Sequence, residues 1–233
     1  MTEHFLISRV FPIDQGVPLR VDLSEDDNLK LPATYSLTQE MIFDFDKLGA
    51  LKLQEVPFRY LVHDASILDP EILEKLCEDF PETPKVGHND AKDLKVGAEW
   101  KAFTEEIYSP AYRKAMERIT GLQLSGYEVG IGIRRLSKLS HGAPHADVPR
   151  KKVTHLIYFN QEWPFTTGRL RVLRSKNLED VHETITPLKG TGLIFVVSQN
   201  SFHGFEPFEG IRKAIQINFE KTGFFSKLFE KYE

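Results

Sequence analysis

From Gly126 onward the chain is a succession of short apolar or alternating runs with no helical stretch between them. "YEVGIGIRRLS", "HADV", "VTHLIYFN", "LRVLRS", "HETITPL", "GLIFVVS", "SFHGFEPF" and "RKAIQINFE" follow one another, separated by Gly, Pro and Asn. Many short strands with turn signals and no intervening helix predict a sandwich or barrel, the jelly roll among them. The first half reads differently. Residues 1–38 are polar and punctuated by Pro, with "LSEDDNLKLP" expected as an exposed loop, and "FRYLVHDAS" (58–66) reads as a strand. Asp69 then caps a helix with Pro70 at its first position. Ile72, Leu73, Leu76, Cys77 and Phe80 share one face of it, so Cys77 is expected in the core as an inert small hydrophobe. A second helical region over about 99–120 is interrupted at Ser109-Pro110, with Tyr112, Ala115, Met116 and Ile119 forming the apolar stripe of its second half. "TGFFSKLFEKYE" reads as a short amphipathic helix over 221–233.

With 233 residues and 41% hydrophobic content, one domain over 1–233 is expected. It comprises an N-terminal elaboration (1–125), a strand-rich core (126–220) and the C-terminal helix (221–233). A single cysteine excludes an internal disulfide and a Cys-rich zinc site. No apolar run is long enough to span a membrane, and "MTEHFLISRVFPIDQG" lacks the features of a signal peptide. A cytoplasmic protein with no membrane partner is expected. Net charge is −4, but it is unevenly spread: residues 134–176 hold 10 Lys and Arg against only Asp147 and Glu162. Either that segment is a solvated face or it surrounds a site that meets anions.

The middle of this basic segment reads "HGAPHADVPRKKVTHLIYFN" (141–160). In an extended chain, residues i and i+2 point the same way, so His145 and Asp147 converge. His203, in "NSFHGFEP" 56 residues after Asp147, supplies a third donor. Two imidazoles and one carboxylate leave coordination positions open, the arrangement of non-haem Fe(II) oxygenases. Nine residues after His203 stand Arg212 and Lys213. Lys213 shares parity with Ile215, Ile217 and Phe219, an apolar outer face. Arg212 shares parity with Ala214, Gln216 and Asn218, which suit a wet interior. Arg212 is therefore the expected inward cation, able to hold a carboxylate through paired N–H groups.

On these residues the stretch 126–220 resembles the iron- and 2-oxoglutarate-dependent dioxygenases, in their prolyl-hydroxylase-like branch. The resemblance rests on His145-x-Asp147, "VTHLIYFN", "PLKGTGLIFVVS", His203 and "GIRKAIQINF". It implies an α+β chain: a double-stranded β-helix (jelly roll, cupin-like) core with N-terminal helices packed on the outer sheet. It further implies that His145, Asp147 and His203 bind Fe(II), and that Arg212 and Tyr158 hold the far carboxylate of 2-oxoglutarate. Thr154, on the same side as Tyr158, is expected to line the cosubstrate, with His155 pointing outward. The implied reaction couples O2 and oxidative decarboxylation of 2-oxoglutarate, giving succinate and CO2, to hydroxylation of a C–H bond. Asp147 is present where related halogenases lose the carboxylate, and Asn218 stands where nucleic-acid demethylases carry a second Arg. No nucleic-acid partner is expected.

The chain departs from the family at Gly168-Arg169, where relatives often carry Gly-Gly, and at Arg135, near where they carry a Tyr. Arg134, Arg135, His141, Arg169, Arg171, Gln216 and Asn218 are the candidate substrate contacts. The basic segment points to a small anionic metabolite or sugar-type substrate. A peptidyl-prolyl substrate is the alternative within the class, and a non-catalytic jelly-roll metal- or carbohydrate-binding protein the alternative outside it. The oligomeric state is left open. His63, His88 and His182, in polar surroundings, read as surface residues, and Trp163 as a packing residue.

Overall fold

The computed structural model describes residues 41–221, together with the backbone of 7–11 and 19–23. Residues 1–39 form one unit, in which β1 (Ile7–Phe11) and β2 (Leu19–Leu23) pair antiparallel as a hairpin. The sequence reading missed these strands. Leu19, Val21 and Leu23 do alternate with Arg20 and Asp22, a period-two signal hidden among prolines.

In the second unit, Asp44 caps α1 (Phe45–Ala50), accepting from Lys47 N at 2.9 Å. β3 (Tyr60–His63) follows. Asp69 then accepts from the amides of Glu71 and Ile72 to start α2 (Pro70–Glu78). After the two-residue β4 (Asn89–Asp90) comes α3 (Ala98–Tyr108). Ser109 caps α4 (Pro110–Thr120) through Tyr112 N, and Gly121 ends it at φ 67°. The strands are β5 (Glu128–Ser137), β6 (Lys151–Tyr158), β7 (Leu170–Leu173), β8 (Val181–Ile185), β9 (Gly192–Val196), β10 (His203–Phe205) and β11 (Gly210–Glu220). "HADV" is not a strand: within it only His145 is bridged, to His203. The helix expected over 221–233 lies, beyond Lys221, outside the described residues.

Six strands form the large sheet in the order β3-β9-β6-β11-β5-β4, and three form the small sheet in the order β10-β7-β8. All the strand pairings are antiparallel. Alternation along each central strand sends side chains to two different cores. On the outer face, Val153, Ile157, Ile215, Ile217 and Phe219 meet the helices through residues such as Leu76, Trp100, Phe103 and Met116. Trp100 is fully buried and donates its indole N–H to Leu76 O at 3.1 Å. Cys77 is buried here, and burial pushes its thiol up to about 11. Between the sheets, Leu156, Tyr158, Phe195, Val172 and Ile185 form the second core. This is the α+β jelly roll with helices on its outer sheet.

Two irregularities in β11 pairing matter for the site. One lies against β5 between Ile211 and Ala214, at the Arg212-Lys213 pair. The other lies against β6, where Phe219 pairs with Val153 but Glu220 pairs with Lys151, leaving Lys152 as the extra residue of a bulge.

Candidate metal centre

The backbone bridge between His145 and His203, with both N–H···O distances 3.0 Å, sets two imidazoles side by side. Their ring centroids are 4.5 Å apart. Nδ1 of His145 lies 2.9 Å from Ala143 O, and Nδ1 of His203 lies 3.0 Å from Ser201 O. Each Nδ1 must therefore carry the proton, so each Nε2 offers a lone pair. Burial pushes the His203 pKa down to about 4 against the opposing charge of Asp147, which keeps the ring neutral and ready to ligate. His145 is the exposed member, with its side chain 56% exposed.

Asp147 is buried, and burial alone would raise its pKa. His203, Lys151 and the Thr154 hydroxyl outweigh that and hold it below the usual carboxylate value. Its two oxygens have different surroundings. Oδ2 accepts from Thr154 Oγ1 at 2.6 Å and from Gln216 Nε2 at 3.4 Å. Oδ1 lies 4.0 Å from His145 Nε2. Oδ1 is thus the oxygen left for a metal. One donor atom from each of His145, Asp147 and His203 lies within 4.8 Å of the others. At metal–ligand distances of about 2.1 Å, three donors stand within roughly 3.8 Å of each other, so they close by up to about 1 Å around an ion. The exposed His145 ring has room for that movement. Two imidazoles whose Nδ1 atoms are held by backbone carbonyls, with one ionised carboxylate, fit Fe(II).

Thr154 was expected to line a cosubstrate. The structure puts its hydroxyl on the Asp147 carboxylate, at 2.6 Å, and 3.1 Å from Asn218 Oδ1. A hydroxyl has one proton, and the shorter contact takes it. Asn218 Oδ1 accepts instead from Gln216 Nε2 at 3.4 Å. Asn218 and Gln216 thus serve the carboxylate side of the site.

Arg212 is 7% exposed and faces inward. Its Nε donates to Gly168 O at 2.8 Å and its Nη2 to Tyr158 Oη at 3.0 Å. Its guanidinium lies over the rings of Phe205 (4.0 Å) and Tyr158 (5.0 Å). These contacts use two of five N–H donors and fix the plane of the fork. Lys213 goes to the outer face, donating to Cys77 O at 2.9 Å. Gly168, the glycine kept in the Gly168-Arg169 pair, supplies the carbonyl that orients Arg212. Its φ of 73° and the Trp163 and Phe208 rings 2.8 Å from where a Cβ would stand require glycine.

The other candidates scatter. Arg134 pairs in register with Ala214 on the inner side and donates to Gln216 Oε1 at 3.2 Å. Arg135 is held by Glu82 at 2.8 Å, and Arg171 by Glu206 and Glu179. Arg169 Nε is buried without a partner among the described residues. His141 sits beside Gly87. Burial, with Arg134 and Lys138 nearby, lowers its pKa. His88 is exposed, and its ring lies over Gly132. Two surface expectations fail. His182 is half-buried, edge-on to Tyr60. His63 is 4% exposed and bonded to His155 across the outer core, because the apolar neighbours of β3 and β9 enclose it. Trp163 packs on Phe208 and donates to Thr167 O.

Residues 132–220 match the family model described as the 2OG-Fe(II) oxygenase superfamily. No curated protein matches the chain. Among solved structures, an oxidoreductase of the 2OG-Fe(II) oxygenase family from Burkholderia pseudomallei is 12% identical, with 77% of this chain and 92% of that one covered and a TM-score of 0.52. A structure of prolyl 4-hydroxylases from Phytophthora capsici is 17% identical, with coverage of 88% and 73% and a TM-score of 0.51. The viral collagen prolyl hydroxylase of Paramecium Bursaria Chlorella virus-1 is 12% identical, with coverage of 70% and 96% and a TM-score of 0.50. At such identities the structures establish the shared fold.

Proposed function

We propose that this protein is a 2OG-Fe(II) oxygenase, as the match of residues 132–220 to that superfamily's model supports, that it uses Fe(II), 2-oxoglutarate and O2, and that it hydroxylates a C–H bond of a small acidic substrate. The observation that carries the hydroxylase reading is the division of labour along β6 and β11. Asp147, Thr154 and Asn218 organise the metal end, and Tyr158 and Arg212 hold a fixed cation at the other. When bound, iron and 2-oxoglutarate supply the oxidant, and the protein supplies placement. His145 and His203 present their Nε2 atoms, and Thr154 fixes which Asp147 oxygen is free. Arg212, buried against the Tyr158 and Phe205 rings, is the residue to receive a carboxylate where water competes poorly for it. A non-catalytic jelly-roll protein has no use for that buried guanidinium.

The acidic-substrate reading is supported by Arg134, which projects inward beside Gln216. A peptidyl-prolyl substrate is the second reading, favoured by the prolyl hydroxylases among the structures of the same fold.

Anaerobic addition of Fe(II) and 2-oxoglutarate should give a visible charge-transfer band, and admission of air should release succinate slowly. Folded protein with neither band nor succinate refutes the hydroxylase reading. Succinate release stimulated by small carboxylates or phosphates, but not by proline-containing peptides, separates the two substrate readings.

A further inference from the structure

Lys151 is a buried cation inside the metal centre that the proposed reaction does not use. Period-two alternation places it with Val153, His155 and Ile157 on the apolar outer face. The bulge at Lys152 reverses that. Lys151 pairs with Glu220, two residues along β11 from inward-facing Asn218, and its side chain turns into the site. There it is 7% exposed, and its Nζ lies 3.6 Å from Asp147 Oδ1. Oδ1 is the oxygen that faces His145 Nε2, so the ammonium stands beside the atom a metal takes. Arg150 next to it is occupied differently, paired with Glu220 at 3.0 Å.

We propose that Lys151 is a positioning residue that stands in for the metal's charge, keeping Asp147 in place before loading and setting how tightly the ion is then held. An ionised carboxylate buried beside two imidazole rings, with only Thr154 and Gln216 donating to its other oxygen, is stabilised by a counter-charge. Before metal arrives, Lys151 provides it. When an ion binds Oδ1 at about 2.1 Å, the ammonium lies at most roughly 5.7 Å from it. At that separation in a partly buried site, the repulsion weakens metal binding by about tenfold or more. The lysine thus trades metal affinity for an assembled empty site. This inference rests on the proposed metal centre.

The test titrates the purified, chelator-treated protein with Mn(II) alone, followed by calorimetry and by the loss of the free-ion magnetic resonance signal. Thermal melts with and without Mn(II) accompany it. Lys151→Met and Lys151→Gln should bind Mn(II) about tenfold more tightly than the unmodified protein. They should also melt lower without metal and gain more from it. Lys151→Gln keeps a hydrogen-bond donor beside Oδ1, so it covers the case in which the apolar variant does not fold. Lys151→Arg keeps the charge and should bind Mn(II) within about threefold of the unmodified protein. Mn(II) binding by the unmodified protein with equal or weaker binding by Lys151→Gln overturns the inference and leaves the metal centre standing. No Mn(II) binding by the unmodified protein overturns both.

Discussion

Acid should destabilise this protein through a proton-ordered chain on the side of the sheet away from the metal. His63 Nδ1 lies 3.0 Å from Asp64 O, a pure acceptor, so that nitrogen carries the proton. His63 Nε2 must then accept from His155 Nε2 at 2.7 Å, and His155 Nδ1 must accept from Tyr112 Oη at 2.7 Å. All three side chains are buried, and the chain is satisfied only when both rings are neutral. A proton added to His63 would reverse the whole chain and strand the Tyr112 hydroxyl hydrogen. Burial lowers the His63 pKa to about 4 and that of His155 well below the ordinary value. The unfolded chain, with histidine near 6.5, binds more protons in this range, so stability is fully present above about pH 6.5 and is lost as pH falls toward 4. Between pH 7.5 and 5 the loss from His63 is about 2 kcal/mol, and His155 adds to it with the same sign. Urea unfolding of metal-free protein, followed by tryptophan fluorescence at both pH values, measures it. His203 titrates in the same direction, so the comparison is with His63→Leu/Tyr112→Phe/His155→Leu, which leaves His203 untouched. If that variant loses as much stability as the unmodified protein between pH 7.5 and 5, the proton-ordered chain is not the cause.

Other expectations follow from single contacts. Thr154→Val removes the hydroxyl that fixes Asp147 Oδ2 and should weaken Mn(II) binding by about 10–100-fold in a calorimetric titration. Arg212→Lys cannot reach both Gly168 O and Tyr158 Oη from one nitrogen; 2-oxoglutarate affinity, read from the charge-transfer band, should fall at least about tenfold while Mn(II) affinity changes little. Gly192→Ala would put a Cβ 2.1 Å from Leu156 O and 2.4 Å from His63 Nε2, and should cost about 1–3 kcal/mol in urea unfolding. Metal at about a hundred times its Kd should raise stability by about 2.7 kcal/mol, a gain that chelation removes.

The parts of the fold legible in the sequence are those governed by short-range rules. Asp69-Pro70 and Ser109-Pro110 mark helix starts because capping needs only a side-chain oxygen and a fixed φ. Alternation separates Arg212 from Lys213 although a register shift falls on that pair, because Ala214 to Phe219 supply six residues of uninterrupted pattern behind it. "HADV" misled as a strand because two donors can converge from a loop when one bridge, His145 to His203, anchors it.

What stayed hidden depends on contacts distant in sequence. The positive balance of 134–176 suggested a site that meets anions. Glu82 takes Arg135, Glu220 takes Arg150, Glu206 and Glu179 take Arg171, and Asp180 takes Arg174. All five acids lie outside that segment, so a local charge count finds an excess where the folded protein has pairs. Lys151 shows the opposite failure. It sits in "RKK", the least distinctive stretch of the segment, and parity sends it outward. One extra residue in β6 inverts it, and a bulge leaves no signature in composition. The cation that the structure sets beside Asp147 is therefore the one the sequence pattern places on the wrong face, and the register between β6 and β11 turns it inward.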